Sequence, residues 1–203
     1  ISLGLAIFFL ARVLANLYFQ NNINNDSIYK KSQKSLIINA VLFLVFFLFW
    51  LIRLMFMDGF AVNPENGNVF MEPNKYFHNF LEMPLVLAVF LVGVVLVLSG
   101  IILNIFLKSK KGIWFSGLGT VLTVWMLFLI AGFNNTAFYP STYDLQSSLT
   151  IYNASSSEFT LKTMSYVSLL VPFVVAYIAL VWKKMDSKKI SSEELKDSEN
   201  HVY

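Results

Sequence analysis

Apolar residues gather into five long runs separated by polar segments, roughly Ile1–Phe19, Ser35–Met57, Phe80–Leu107, Gly112–Gly132 and Met164–Trp182. Each run is about 19 to 28 residues. At 1.5 Å per residue that is enough helix to cross a hydrocarbon core of about 30 Å. Nothing alternates inside the runs: Leu42–Phe49 reads LFLVFFLF. A barrel strand would be about 10 residues with every second position polar. The pattern therefore predicts an all-α polytopic bundle of five spanning helices over residues 1–182, followed by a polar tail over 183–203.

Composition agrees and removes the soluble alternatives. The chain is 57% hydrophobic, 16% aromatic and 13% charged. A soluble domain carries about 25% charged residues, and a disordered chain needs low hydrophobicity with high charge. The run already in progress at Ile1 has no charged flank before it and no small-residue cleavage site after it. A signal peptide would show both, so the chain is expected to begin within a helix of a longer protein. There is no cysteine, which excludes thiolate ligands, thiol nucleophiles and disulfides. The two histidines, His78 and His201, both lie outside the apolar runs. A haem that needs a histidine ligand from the membrane interior has to find it on another chain.

Charge contributes topology. Eleven lysines fall in the segments 20–34 and 108–111 and in the tail, and two, Lys75 and Lys162, fall in the segments 58–79 and 133–163. Lysine-rich loops stay cytoplasmic. Five spans alternate sides in keeping with this split, so the C-terminus is expected in the cytoplasm. The net charge of +3 then reports orientation and not nucleic-acid binding. Asn21–Asn25 reads as an interfacial loop, and the tail either frays or forms a short helix capped near Ser191.

Few polar residues interrupt the runs. Arg12 lies six residues before Tyr18, roughly 9 Å into the membrane. It either snorkels to the headgroups or contacts a partner subunit or a quinone-like carbonyl. Arg53 snorkels or pairs with Asp58. Glu82 and Pro84 read as a helix start, with a proton relay as the alternative for Glu82. Asn39 and Asn104 suit hydrogen bonds between helices. Pro172 should kink the fifth span. His78 has no second histidine or cysteine nearby to complete a metal site, and no Ser-His-Asp constellation is visible. The residues contain no self-contained active site.

The most specific stretch runs from Phe133 to Met164, FNNTAFYPSTYDLQSSLTIYNASSSEFTLKTM. It resembles the loop that joins two late helices in subunit II of cytochrome bd-type quinol oxidases. The matching residues are Tyr139-Pro140-Ser141, Ser148-Leu149-Thr150, Asn153-Ala154-Ser155-Ser156, Thr160-Leu161 and Met164. The last span with Pro172, Tyr177 and Trp182, and the basic tail ending at Tyr203, also look like the family. Tyr18-Phe19-Gln20 and Asp58-Gly59-Phe60 are weaker matches.

The resemblance implies the C-terminal part of a longer subunit, the last five of nine helices, in a multi-pass protein of the bacterial cytoplasmic membrane. It implies a partner, subunit I, that carries haems b and d and oxidises quinol while dioxygen is reduced to water. A small single-helix accessory subunit is a further implied partner. This chain would bind no haem itself and act as a scaffold. Its 20 Phe, 9 Tyr and 4 Trp suit contact with membrane lipid and with a structural quinone. The rival readings are a transporter fragment, which should show matched helix breaks in two repeats, and a membrane scaffold unrelated to respiration.

Overall fold

The computed structural model describes residues 1–185. The expectations for Ser191, His201 and Tyr203 lie outside the described residues. Helix α1 spans Ser2–Asn22 and α2 spans Asp26–Met55. A hairpin of β1 (Gly59–Val62) and β2 (Val69–Glu72) follows, then α3 (Lys75–Glu82), α4 (Pro84–Leu107) and α5 (Gly112–Gly132). A 3-10 turn at Leu145–Ser147 and the short α6 (Ile151–Ala154) lead into α7 (Glu158–Ser168) and α8 (Val171–Met185). Five helical stretches are long and apolar enough to cross a membrane, the last being α7 and α8 together.

Two helical hairpins form the bundle, α1 on α2 and α4 on α5, with α1 also meeting α5. In water-free surroundings apolar burial cannot drive helices together, so small and polar residues line the seams. Between α1 and α2 a polar stretch adjoins the apolar contacts of Val13, Leu17, Leu36 and Ala40. Ser32 Oγ donates to the Asn16 side chain (3.1 Å), Gln20 Nε2 donates to Ser32 Oγ (3.2 Å) and Asn16 donates to Ser35 Oγ, whereas Asn39, expected to bond between helices, donates to Ser35 within α2. Between α4 and α5 the seam is small. A Cβ placed on Gly100 would stand 2.5 Å from the Gly112 carbonyl oxygen, and one on Gly119 2.6 Å from that of Gly93. Ser116 fits there because its hydroxyl donates to the Val97 carbonyl across the seam (3.0 Å).

Several expected boundaries move. Residues 26–34 are not loop: α2 begins at Asp26, because the Asn25 side chain accepts from the amides of Ser27 and Ile28 and caps it. The run 80–107 is two helices. Met83 separates them, and Pro84, which has no N–H to give, opens α4. Glu82 therefore ends α3 rather than starting the span. The fifth span is interrupted at Leu169–Leu170, just before Pro172, where the kink was expected. Every residue from 151 to 185 is exposed, so α7 and α8 add no buried side chain to the bundle.

The hairpin was not part of the apolar pattern. Asn63 and Asn66 accept from the amides two residues on, and Gly67 takes a φ of 72°. These turn residues, between Phe60-Ala61-Val62 and Val69-Phe70-Met71, are the hairpin signal in the sequence.

Candidate functional site

One end of the bundle carries a cap in which both long loops combine. Val62 donates to the Asn135 carbonyl and Ala137 to that of Phe60, each at 2.8 Å. Gln146 closes the far side, its Nε2 donating to the Val69 carbonyl (2.8 Å) while its Oε1 accepts from the Val69 amide (2.9 Å). Val62, Val69 and Ala137 form a small apolar core beneath.

Asn79 ties this cap to the membrane helices, and no sequence signal marked it. It is fully buried. Its Nδ2 donates to the Ile130 carbonyl (2.7 Å) and to Thr136 Oγ1 (2.8 Å). Its Oδ1 accepts from Asn134 Nδ2 (3.0 Å), which also reaches Glu82. The Ile130 carbonyl belongs to the last turn of α5, where helical partners run out. Asn79 supplies the missing donor, and Glu82 is part of this cap network.

Beside it, Glu72 accepts from Lys75 Nζ (3.1 Å) and meets His78 Nδ1 (3.0 Å). Burial pushes the Glu72 carboxyl up, but hydrogen bonds from His78 and Lys75 outweigh it and hold the group below its ordinary 4.5. A depressed carboxylate stabilises the fold above its unfolded value and stops doing so as pH falls through the lowered one. Protection of the α3 amides, corrected for intrinsic exchange, should therefore hold at neutral pH and drop as pH falls below 4.5. Glu72→Gln should flatten that drop. An acid profile unchanged by the substitution would remove the role assigned to Glu72.

The motif residues shape the path from α5 to α7. Ser148 is fully buried and accepts from the Ser141 amide (3.0 Å), while Leu149 pairs with Tyr139 next to Pro140. Thr150 and Asn153 form a reciprocal cap on α6: the Thr150 amide donates to Asn153 Oδ1 (2.7 Å) and the Asn153 amide to Thr150 Oγ1 (3.2 Å). Asn153 Nδ2 also donates to the Ser148 carbonyl (2.9 Å). Ser155 Oγ donates to the Ile151 carbonyl. Thr160 and Leu161 lie on exposed α7, whose first turn is capped by Ser157, and Ala154 and Ser156 are exposed. The hydrogen bonds of the motif residues are mainly turn and helix-cap contacts.

Within the bundle lies an apolar pocket of about 300 Å³, lined among others by Leu10, Phe43, Trp50, Tyr76, Val97 and Leu127. The lining hydroxyls of Thr120 and Thr123 donate to their own helix, to Ser116 and Gly119 carbonyls. Arg12 does not line this pocket. It is exposed on α1, with its guanidinium carbon 5.7 Å from the Phe8 ring. Arg53 is exposed and forms no ion pair with Asp58 among the described residues. Asn104 is buried but bonds locally, to the Ser109 carbonyl. No group of three or more potential metal ligands converges among the described residues.

Residues 1–185 match the sequence model of cytochrome bd terminal oxidase subunit II. The chain belongs to that family. It is 33% identical over 150 residues to subunit 2 of the cytochrome bd-I ubiquinol oxidase of Escherichia coli strain K12, and equally to those of strains O157:H7 and O6:H1. The match covers 72% of this chain and 38% of each relative, so the matched part is well under half of their length. Family membership and five apolar helices make it a multi-pass inner-membrane protein. For this subunit II family member, the motif stretch that carried the resemblance and the cap it builds are the same part of the molecule.

Proposed function

We propose that this chain is the C-terminal part of a non-haem scaffold subunit in a quinol:oxygen oxidoreductase of the bacterial cytoplasmic membrane. The family match over residues 1–185 is the observation that carries this reading. The complex would oxidise quinol, reduce dioxygen to water and build a proton gradient, with haems b and d held by subunit I. The donor set of this chain fits that division. His78, its one described histidine, is engaged by Glu72 in the cap and not directed into the bundle. The exposed apolar length of α7 and α8 offers a surface to lipid, to the rest of the subunit or to an accessory helix. The lysine-rich end of the bundle and the tail are assigned to the cytoplasm, and the cap to the outer face.

A structural quinone fits the apolar pocket. Its isoprenoid tail would lie against Leu10, Phe43 and Leu127. Tyr76, whose phenol burial pushes up and so keeps protonated, is among the residues around the same pocket. Such a quinone would help hold the bundle together and has no assigned part in electron transfer.

The test is co-purification of the full-length subunit from its native membrane. It should bring down a haem-bearing partner with quinol-dependent oxygen uptake. A pure complex without haem would overturn the assignment.

A further inference from the structure

At the lysine-rich end, α1 and α2 enclose an open groove of about 480 Å³ that contains Arg12, Lys31, Lys34 and Ser35 and continues over Ile38 and Leu42. It is separate from the apolar pocket and on the outside of the hairpin. None of the three cations forms an ion pair among the described residues. Asp26 is the acid nearest to them in sequence, and it too is unpaired there. The hydrogen bond from Asn16 to Ser35 fixes the register of the hairpin. Because the helices are antiparallel, Arg12 then sits level with about residue 38. That is roughly 10 Å deeper than Lys31 at 1.5 Å per residue. The cations thus descend from the interface into the membrane as a ladder, with a long guanidinium stem at the bottom able to reach upward.

The neutral groups complete the site. Ser35 Oγ accepts from Asn16 Nδ2 (3.2 Å) and Asn39 Nδ2 (3.1 Å). Both bonds use its lone pairs, so its own proton remains to be donated. Below it the groove is apolar and faces outward, Ile38 being 53% exposed. The geometry points to an anionic phospholipid, its phosphate between Lys31, Lys34 and the Ser35 hydroxyl, with Arg12 approaching from below and one acyl chain along Ile38 and Leu42. Basic pockets between helices on the lysine-rich side are suited to such headgroups. A free phosphate would satisfy the cations but leave the apolar half of the groove empty. This inference extends the proposed function without depending on it, since it uses the α1–α2 hairpin alone.

The experiment is native mass spectrometry of the purified complex that contains the full-length subunit. The complex is stripped of loose lipid and titrated with mixed micelles of phosphatidylglycerol or phosphatidylcholine of equal chain length. Wild type should retain one phosphatidylglycerol about a hundredfold more strongly than phosphatidylcholine, the three cations contributing about fivefold each. Lys34→Gln should weaken that retention about fivefold, and the double variant K31Q/K34Q further, while K31R/K34R should keep it. Ile38→Trp, which fills the chain groove and leaves every charge, should also weaken it. Both lysines are exposed, so the single Lys34→Gln decides the matter should the double variant not assemble. Equal retention of the two lipids, unchanged retention in Lys34→Gln, or displacement of phosphatidylglycerol by millimolar inorganic phosphate would each overturn the proposal.

Discussion

Gly100→Leu is expected to lower the apparent melting temperature of the detergent-solubilised protein by about 5–10 °C, whereas Gly117→Leu on the facing helix leaves it nearly unchanged. The contrast comes from where the two glycines point. A Cβ on Gly100 would meet the Gly112 carbonyl oxygen at 2.5 Å and the Ser116 amide nitrogen at 2.7 Å. These are backbone atoms of α5 and cannot rotate away, so α4 and α5 must separate. Separation breaks the hydrogen bond from Ser116 to Val97 and opens Gly119 against Gly93. The cost is about 3 kcal/mol, the upper end of overpacking in a tight core. Gly117 has nothing within 4 Å of its added Cβ. Equal melting of the two variants would show that α4 and α5 are held by something other than this close approach. Leucine is the better choice than alanine at Gly100, because its bulk leaves no small adjustment that restores contact.

The second large effect is at Asn79. Asn79→Leu should free the loop 133–150 from the end of α5 and make it the first site of limited proteolysis, while α1 and α2 stay protected. The substitution leaves the Ile130 carbonyl and Asn134 Nδ2 without Asn79 as partner. Each buried polar group left unpaired costs about 1–3 kcal/mol. Asn79→Asp is expected to be as severe: a carboxylate has no hydrogen to donate to a carbonyl oxygen, and it would face Glu82 through Asn134. Cleavage in the loop at the wild-type rate in both variants would remove Asn79 from its place as the tie between cap and bundle. Loop opening should leave the α4–α5 seam intact, so the two predicted defects can be told apart by which segment becomes accessible.

The seam that Gly100 tests was present in the sequence as a spacing. Small residues fall at Gly112, Ser116, Gly119 and Thr123, steps of four and three that keep one stripe on one helix face. Gly93, Val97, Gly100 and Asn104 repeat the spacing on α4. A run that is apolar all round hides this stripe, because hydrophobicity varies little around the helix. The break at Met83 was hidden for a similar reason: Phe80 and Leu81 continue the apolar run in sequence although they belong to α3. The start of α2 was missed from the opposite side. Residues 26–34 look like loop because they are charged, yet a lysine-bearing turn at the membrane edge is still helix once Asn25 caps it.

Five apolar stretches, the absence of cysteine, the separation of lysines and the family-like stretch after α5 were all readable one residue at a time. Water-free surroundings force long apolar runs into helices, because every backbone amide must find its partner within the segment. That rule acts locally, so sequence alone determined the membrane class and the family resemblance. The tertiary structure decided what depends on residues far apart in the chain. Asn79 meets Ile130 and Thr136 across more than fifty positions, and Gln146 meets Val69 across 77. Arg12 belongs with Lys31 and Lys34 because the hairpin folds back on itself. An amide or a guanidinium in isolation carries no sign of which partner it will find. That choice is made by the packing of helices that bring the partners within reach.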